Sequence, residues 1–187
     1  MLSLNFTPFP QLRTPRLLLR QLSVSDTNHL YYLRSQPDIM QYILRPLHKN
    51  AQETQQYIQM LNDNCAANES VNWAITLQSH PQQLIGTIGY VRMHKEDYRA
   101  EVGYLLHHHY HRQGLMHEAL QAVLHYGFTT LQLNSVMAIT APANTGSNKT
   151  LEKCGFQQEG HLKESNFFEG AYYDSLYWAL LARQYRR

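Results

Sequence analysis

Only two cysteines, Cys65 and Cys154, occur in 187 residues, so the chain lacks the density of thiols that a disulfide-stapled secreted domain uses, and reduced thiols are expected. Charge is scarce as well. Charged residues make up 16% of the chain and the net charge is +2, too weak a positive balance for a dedicated nucleic-acid binder. No apolar run approaches the ~20 residues of a membrane span, and residues 1–10 lack the apolar core of a signal peptide, so a cytoplasmic protein is expected. Repeats and low-complexity segments are missing too, which removes solenoid and linker architectures.

What is present suits one globular domain. Hydrophobic residues reach 43%, enough to collapse, and 187 residues supply one substantial core but not two ordinary domains, so residues 1–187 read as a single unit. Residues 16–22 read as a first strand stopped by Ser23 and Ser25, followed by a helix over 26–34 that Pro37 ends. A second helix starts at Asn50, whose side chain caps it, with Glu53 completing a capping box and Tyr57, Ile58, Leu61 and Cys65 forming one apolar stripe. Val71, Trp73, Ile75 and Leu77 alternate with polar neighbours, which predicts a half-buried strand. The chain turns at 79–81 and returns as a strand over 84–93, where Gly86 and Gly89 mark a bulge or a close backbone approach. A strand over 101–106, a helix to about 128 with Met116, Leu120, Val123 and Gly127 on one face, and a strand over 136–141 follow. Strands over 160–164 and 172–180 close the chain around a turn at Asn166, Phe167, Phe168 and Glu169.

The junction at His111, Arg112, Gln113, Gly114, Leu115 and Met116 predicts a phosphate cradle. A glycine turn that opens a helix leaves backbone N–H groups without intrahelical partners, and the helix dipole adds positive character where they point. One glycine after a strand is weak on its own. A second segment about thirty residues on adds to it: Asn144, Ser147 and Asn148 after a strand, then Leu151 through the Gly155–Phe156 pair.

With both segments, the chain resembles the GNAT-superfamily N-acetyltransferases, in the branch of the ribosomal-protein N-terminal acetyltransferases RimJ and RimL, over residues 12–181. The resemblance implies an α/β (α+β) fold: a mixed, mostly antiparallel sheet of about seven strands flanked by about four helices and splayed at its central strands. It implies acetyl-CoA as co-substrate, with the pyrophosphate held by residues 111–116. His111 stands where the family has Gln or Arg and would bind phosphate when protonated; Met116 replaces a small residue and implies a wider turn. Pantetheine would pair with the strand edge near Val102, Tyr104, Leu105 and Leu106, with Leu105 or Leu106 offering an N–H to the thioester oxygen. Asn144 would hold a pantetheine amide, and Ser147 would protonate the leaving thiolate. Glu101, at the start of the strand feeding the cradle, is the expected base, acting directly or through water, with a salt bridge to Arg92 or Arg99 as the alternative reading.

The acceptor expected from this resemblance is a primary amine, first of all the α-amine of a protein N-terminus such as a ribosomal protein. A polyamine, amino acid or aminoglycoside is the alternative inside that class, and an acyl-CoA-binding protein without turnover is the alternative outside it. No direct nucleic-acid or membrane partner is expected, and the protein is a monomer or homodimer. Tyr31, Tyr32, Tyr42, Tyr172 and Tyr173 are candidates for an acceptor groove. The cluster His107, His108, His109 and His111 has 107, 109 and 111 on one strand face, a spacing that suits zinc or nickel. No carboxylate or cysteine accompanies it and cofactor entry claims the position, so no metal is expected. Cys154 reads as a small buried hydrophobe and not a nucleophile. Arg183, Arg186 and Arg187 read as a frayed basic tail, with contact to ribosomal RNA as the alternative.

Overall fold

The structure, a computed structural model, describes residues 1–185; Arg186 and Arg187 of the expected basic tail lie outside the described residues, and Arg183 sits in a 3-10 turn, Ala182–Gln184. Eight strands form one sheet: β1 (Leu12–Arg13), β2 (Leu17–Gln21), β3 (Val71–Leu77), β4 (His80–His94), β5 (Arg99–Leu106), β6 (Ser135–Thr140), β7 (Gln157–Phe168) and β8 (Ala171–Leu181), in the spatial order β1-β2-β3-β4-β5-β6-β8-β7. All neighbours are antiparallel except β5 and β6. Five helices accompany them: α1 (Thr27–Ser35), α2 (Pro37–Met40), α3 (Ala51–Ala66), α4 (Leu115–Thr129) and α5 (Thr145–Lys153). The strand and the helix beyond the expected order are the two-residue β1 and the single turn α2. Pro37 ends α1 and also opens α2, because its fixed φ and missing N–H suit a first helical position. Among the described residues no helix is long and apolar enough to cross a membrane.

Two layers of helix cover the sheet. Leu30 and Leu33 of α1 and Ile58 and Leu61 of α3 pack with Ala74, Leu84 and Leu105 on one face. On the other, Leu115, Met116, Ala119, Leu120, Val123 and Leu124 of α4 and Leu151 of α5 pack with Leu17, Leu19, Trp73, Ile88, Tyr90, Val102 and Leu106. Leu120, Val123 and Leu124 are fully buried, each contributing roughly 1.5–3 kcal/mol. This double coverage corrects the half-buried reading of β3: its polar-looking face, Asn72, Ala74 and Thr76, is buried against α1 and α3.

Local expectations resolve individually. Asn50 Oδ1 accepts the Glu53 N–H at 2.9 Å as a cap, but Glu53 reaches back to the Lys49 N–H at 2.7 Å, one residue earlier than a capping box requires. Gly86 and Gly89 mark close approach, since a Cβ at Gly86 would meet the Leu105 carbonyl and one at Gly89 the Asn72 side chain. β7 runs far beyond 160–164, so Asn166, Phe167 and Phe168 are strand residues and only Glu169 and Gly170 turn the chain. Periodicity found the middle of this strand but not its length, because almost all of it is exposed, leaving no buried alternate positions to read.

Candidate active site

β5 and β6 pair only at Arg99–Ser135, Ala100–Val136 and Glu101–Met137. Past Glu101 the strands diverge. On its other side β5 stays paired to β4, and the His107 N–H donates to Ile85 of β4 at 2.8 Å. Backbone polar groups alternate sides along a strand, so Val102, Tyr104 and Leu106 turn their N–H and C=O groups toward the gap, while Leu105 turns its own toward β4. Of the two expected donors to a thioester oxygen, Leu106 therefore has the amide on the open side. Leu105 and Leu106 are both 8% exposed, so only their main chain is available to a ligand. Opposite Glu101 and Val102 the β4 register slips by one residue, leaving Val91 as the extra residue, and Gly103 gives it room.

The gap ends at the cradle. Gly114 caps α4 with φ 73°, a left-handed conformation that favours glycine, and Arg112 beside it has φ 59°. The first intrahelical bond runs from the Glu118 N–H to Gly114 at 3.0 Å, so the amides of Leu115, Met116 and His117 have no acceptor inside the helix. Met116 is buried in the core instead of projecting into the turn. The His111 Nε2–H donates to the Leu106 carbonyl at 2.9 Å, so this ring covers the gap-side carbonyl at the cradle end. Gln113 is exposed and Leu115 buried.

A clamp that local sequence reasoning missed holds this turn. Glu118 accepts from Thr14 Oγ1 at 2.5 Å, from the Arg16 N–H at 2.9 Å and from Arg16 Nε at 2.6 Å, while Arg16 NH1 donates to the Gln113 carbonyl at 2.9 Å. Burial alone would raise the Glu118 pKa; the donors from Thr14 and Arg16 and the guanidinium charge outweigh it and hold the carboxyl below its ordinary value. About a hundred residues separate the partners, so no motif announces the pairing.

Across the gap from β5 stands α5. Asn144 Oδ1 caps it by accepting the Ser147 N–H at 3.2 Å. The Ser147 hydroxyl lies 2.7 Å from Tyr104 Oη, and burial, above all, pushes that phenol up to about 12 against the lowering effect of the Ser147 hydrogen bond. Asn148 fixes the helix start by accepting from Thr140 Oγ1 at 2.6 Å, and Trp178 Nε1 donates to the same hydroxyl at 2.9 Å. Tyr104 was expected only as a main-chain contact; its side-chain role needed the fold to bring residues 104 and 147 together.

Glu101 lies where the strands part, and Arg92 NH1 contacts its Oε2 at 3.2 Å, the partner foreseen in the salt-bridge reading. By strand alternation it shares a face with Leu105, the face covered by α1 and α3, whereas Tyr104 and Ser147 lie on the α4 and α5 face. Base and acid candidates thus approach the gap from opposite sides of the sheet.

Other expected residues are placed elsewhere. Cys154 Sγ is 3.3 Å from His117 Nδ1, and burial pushes the thiol up to about 12, which leaves it protonated at neutral pH. Of the tyrosines, Tyr31 donates to the Lys49 carbonyl at 3.2 Å, Tyr32 stacks on His107 at 5.0 Å, and Tyr172 packs against Phe167 at 5.1 Å. Tyr42 and Tyr173 are exposed. The histidine run is not a strand face: β5 stops at Leu106, His108–Tyr110 form a 3-10 turn, and the clustered rings are those of His107, His108 and His109 instead of 107, 109 and 111.

The Acetyltransferase (GNAT) domain family matches residues 16–157, most of the chain and both halves of the gap. The chain belongs to the GNAT acetyltransferase family. It is an N-acetyltransferase on an α/β fold in which the splayed pair β5 and β6 occupies the centre of the sheet. An N-acetyltransferase of Bacillus licheniformis, p20, is 33% identical over 174 residues, covering 93% of this chain and 97% of that protein. The spermidine N(1)-acetyltransferase of Vibrio cholerae is 25% identical over 91% of the chain and 95% of its own length. The ribosomal-protein-serine acetyltransferase of Escherichia coli is 33% identical, but over only 54% of the chain and 58% of its own length. A crystal structure of a GNAT-family acetyltransferase from Bacillus anthracis superposes with a TM-score of 0.82 at 27% identity, covering 93% of this chain and 99% of that one.

Proposed function

We propose that the enzyme binds acetyl-CoA along the open edge of β5 and transfers the acetyl group directly to a primary amine. The observation that carries this reading is the β5 edge at Val102, Tyr104 and the Leu106 N–H, which β6 leaves unpaired and which leads through one turn to the left-handed cap at Gly114. An extended pantetheine arm can add to that edge as a strand does, and a pyrophosphate can accept from the amides of Leu115, Met116 and His117 with Arg112 beside it. Asn144 and the residues around Ser147 form the far wall.

In this reading the amine reaches the thioester from the α1 and α3 face. Glu101, directly or through a water, takes the proton as the nitrogen attacks the carbonyl carbon, and the Leu106 N–H stabilises the oxygen as charge develops. The C–S bond then breaks as Ser147 gives its proton to the departing sulfur from the opposite face, and the serine takes a proton back from solvent water. Tyr104 keeps its proton at neutral pH, so it donates to Ser147 Oγ and leaves the serine O–H free to point into the gap. No acyl-enzyme is required, in keeping with a Cys154 thiol that stays protonated.

The acceptor we favour is the α-amine of a protein N-terminus, of the ribosomal-protein type. An α-amine, with a pKa of ~7.7–8.0, is partly unprotonated at neutral pH, whereas a lysine-type amine at ~10.4 demands more of its base. The relative that acts on a ribosomal-protein serine supports this acceptor over part of the chain, and the spermidine relative supports a polyamine as the second reading. Free-thiol release from acetyl-CoA, measured with serine- and alanine-initiated peptides, their Nα-blocked forms and spermidine, separates the two. Turnover with open peptides only supports the α-amine; turnover with spermidine only replaces it with the polyamine. No turnover with any amine, while acetyl-CoA still raises the melting temperature, favours a binding protein without catalysis.

A further inference from the structure

We propose that His107, His108 and His109 form a binding site for a divalent transition-metal ion of the zinc class, and that its occupancy stiffens the turn leading into the phosphate cradle. The three side chains bring their ligand nitrogens within 4.8 Å of one another, with ring centroids 4.6, 4.8 and 4.3 Å apart. Nitrogens on one tetrahedral zinc, at Zn–N distances of 2.0–2.1 Å, lie roughly 3.4 Å apart, so a modest rotation of exposed rings closes the set. His108 and His109 are exposed and free to make it. His107 is the fixed member, stacked on Tyr32 of α1 with an interplanar angle of 15°.

A metal takes each imidazole through an unprotonated ring nitrogen, so binding releases any proton held there. His107 Nδ1 accepts a long hydrogen bond from the His109 N–H at 3.2 Å, so as the ion binds either this weak bond is exchanged for the metal bond or Nε2 gives up its proton. His107 and His109 line a cavity of about 240 Å³, open to the water that would complete the coordination. Imidazole donors alone suit zinc, copper or nickel and not the hard cations magnesium or calcium.

Cofactor entry does not compete for this position. The rings face α1 through Tyr32, whereas the open edge of β5 faces β6. The turn is nevertheless joined to the cradle: the His111 N–H donates to the His108 carbonyl at 3.0 Å and Gln113 Nε2 to the His109 carbonyl at 2.8 Å. An ion that locks the three histidines therefore restrains His111 and Gln113, the residues on either side of Arg112.

Metal-free protein is titrated with Zn²⁺ against a chromophoric chelator, and with Co²⁺ while the visible spectrum is followed. About one equivalent bound with the intense absorption of tetrahedral cobalt is expected. The double variant His108→Ala/His109→Ala loses roughly tenfold or more in affinity together with that band, while its turnover in chelator matches the parent and His80→Ala binds as the parent does. No binding by the parent, or equal binding by the double variant, overturns the site. This arm uses no acyl-CoA, so its failure is separate from any failure of the enzymatic reading. In a second arm, one equivalent of Zn²⁺ lowers the KM for acetyl-CoA in the parent and not in the double variant; an unchanged KM overturns the coupling to the cradle.

Discussion

Ser147 Oγ and Tyr104 Oη, 2.7 Å apart, join α5 to β5 across the gap, and the high pKa of the phenol fixes the direction of the proton. Ser147→Ala removes the proposed acid and should lower kcat by about a hundredfold with little change in the KM for acetyl-CoA. Tyr104→Phe leaves the serine in place and should cost less. Stopped-flow thiol detection separates kcat from KM, and a KM effect alone would make both residues binding groups. A second expectation concerns acid. The Glu118 carboxyl has a folded-state pKa held below 4.5 by Thr14 and Arg16, so the stability it supplies is complete above that value and is lost as pH falls through the folded pKa. Glu118→Gln should flatten the melting-temperature profile below about pH 4.5, and an unchanged profile would show that the clamp contributes nothing to folding. Asn144, Ser147 and Gly114 were legible because each belongs to a short local pattern. The Tyr104–Ser147 and Arg16–Glu118 contacts were not, since their partners meet only through sheet pairing and helix packing.

Between elements, the tightest constraint is where α4 crosses β4. Gly127 lies against the Tyr90 hydroxyl, which donates to the Val123 carbonyl at 2.9 Å inside the core. A methyl group there has no space, so Gly127→Ala should destabilise by about 1–3 kcal/mol, read as a lowered midpoint in urea unfolding with unchanged slope. Gly114→Ala is a different test of a glycine. Its Cβ would meet only Arg16 at 3.6 Å, so the cost is the left-handed backbone, about 1–2 kcal/mol. It should raise the KM for acetyl-CoA several-fold and leave kcat nearly unchanged, as initial-rate kinetics would show. The face of α4 that carries Met116, Leu120, Val123 and Gly127 could be read from a 3.6-residue period. β3 and β7 were misread because one is buried on both faces and the other exposed along nearly its whole length, so neither shows a clean alternation.

For the molecule as a whole, the order of elements was legible from periodicity and turn residues and the family from the segments at 111–116 and 144–156, but the divergence of β5 from β6 after Glu101 has no local signature. Beyond Glu101 the β5–β6 ladder stops, while the Tyr104–Ser147 contact ties β5 to α5 on one face of the sheet. The most direct test is amide NMR of the isotope-labelled enzyme as coenzyme A is added. Shifts are expected at Val102, Tyr104 and Leu106, at 114–117 and at 144–147, with the Leu105 amide, already directed to β4, moving least. Perturbation confined to the α1 side of the sheet, with those amides unmoved at saturation, would contradict binding along β5.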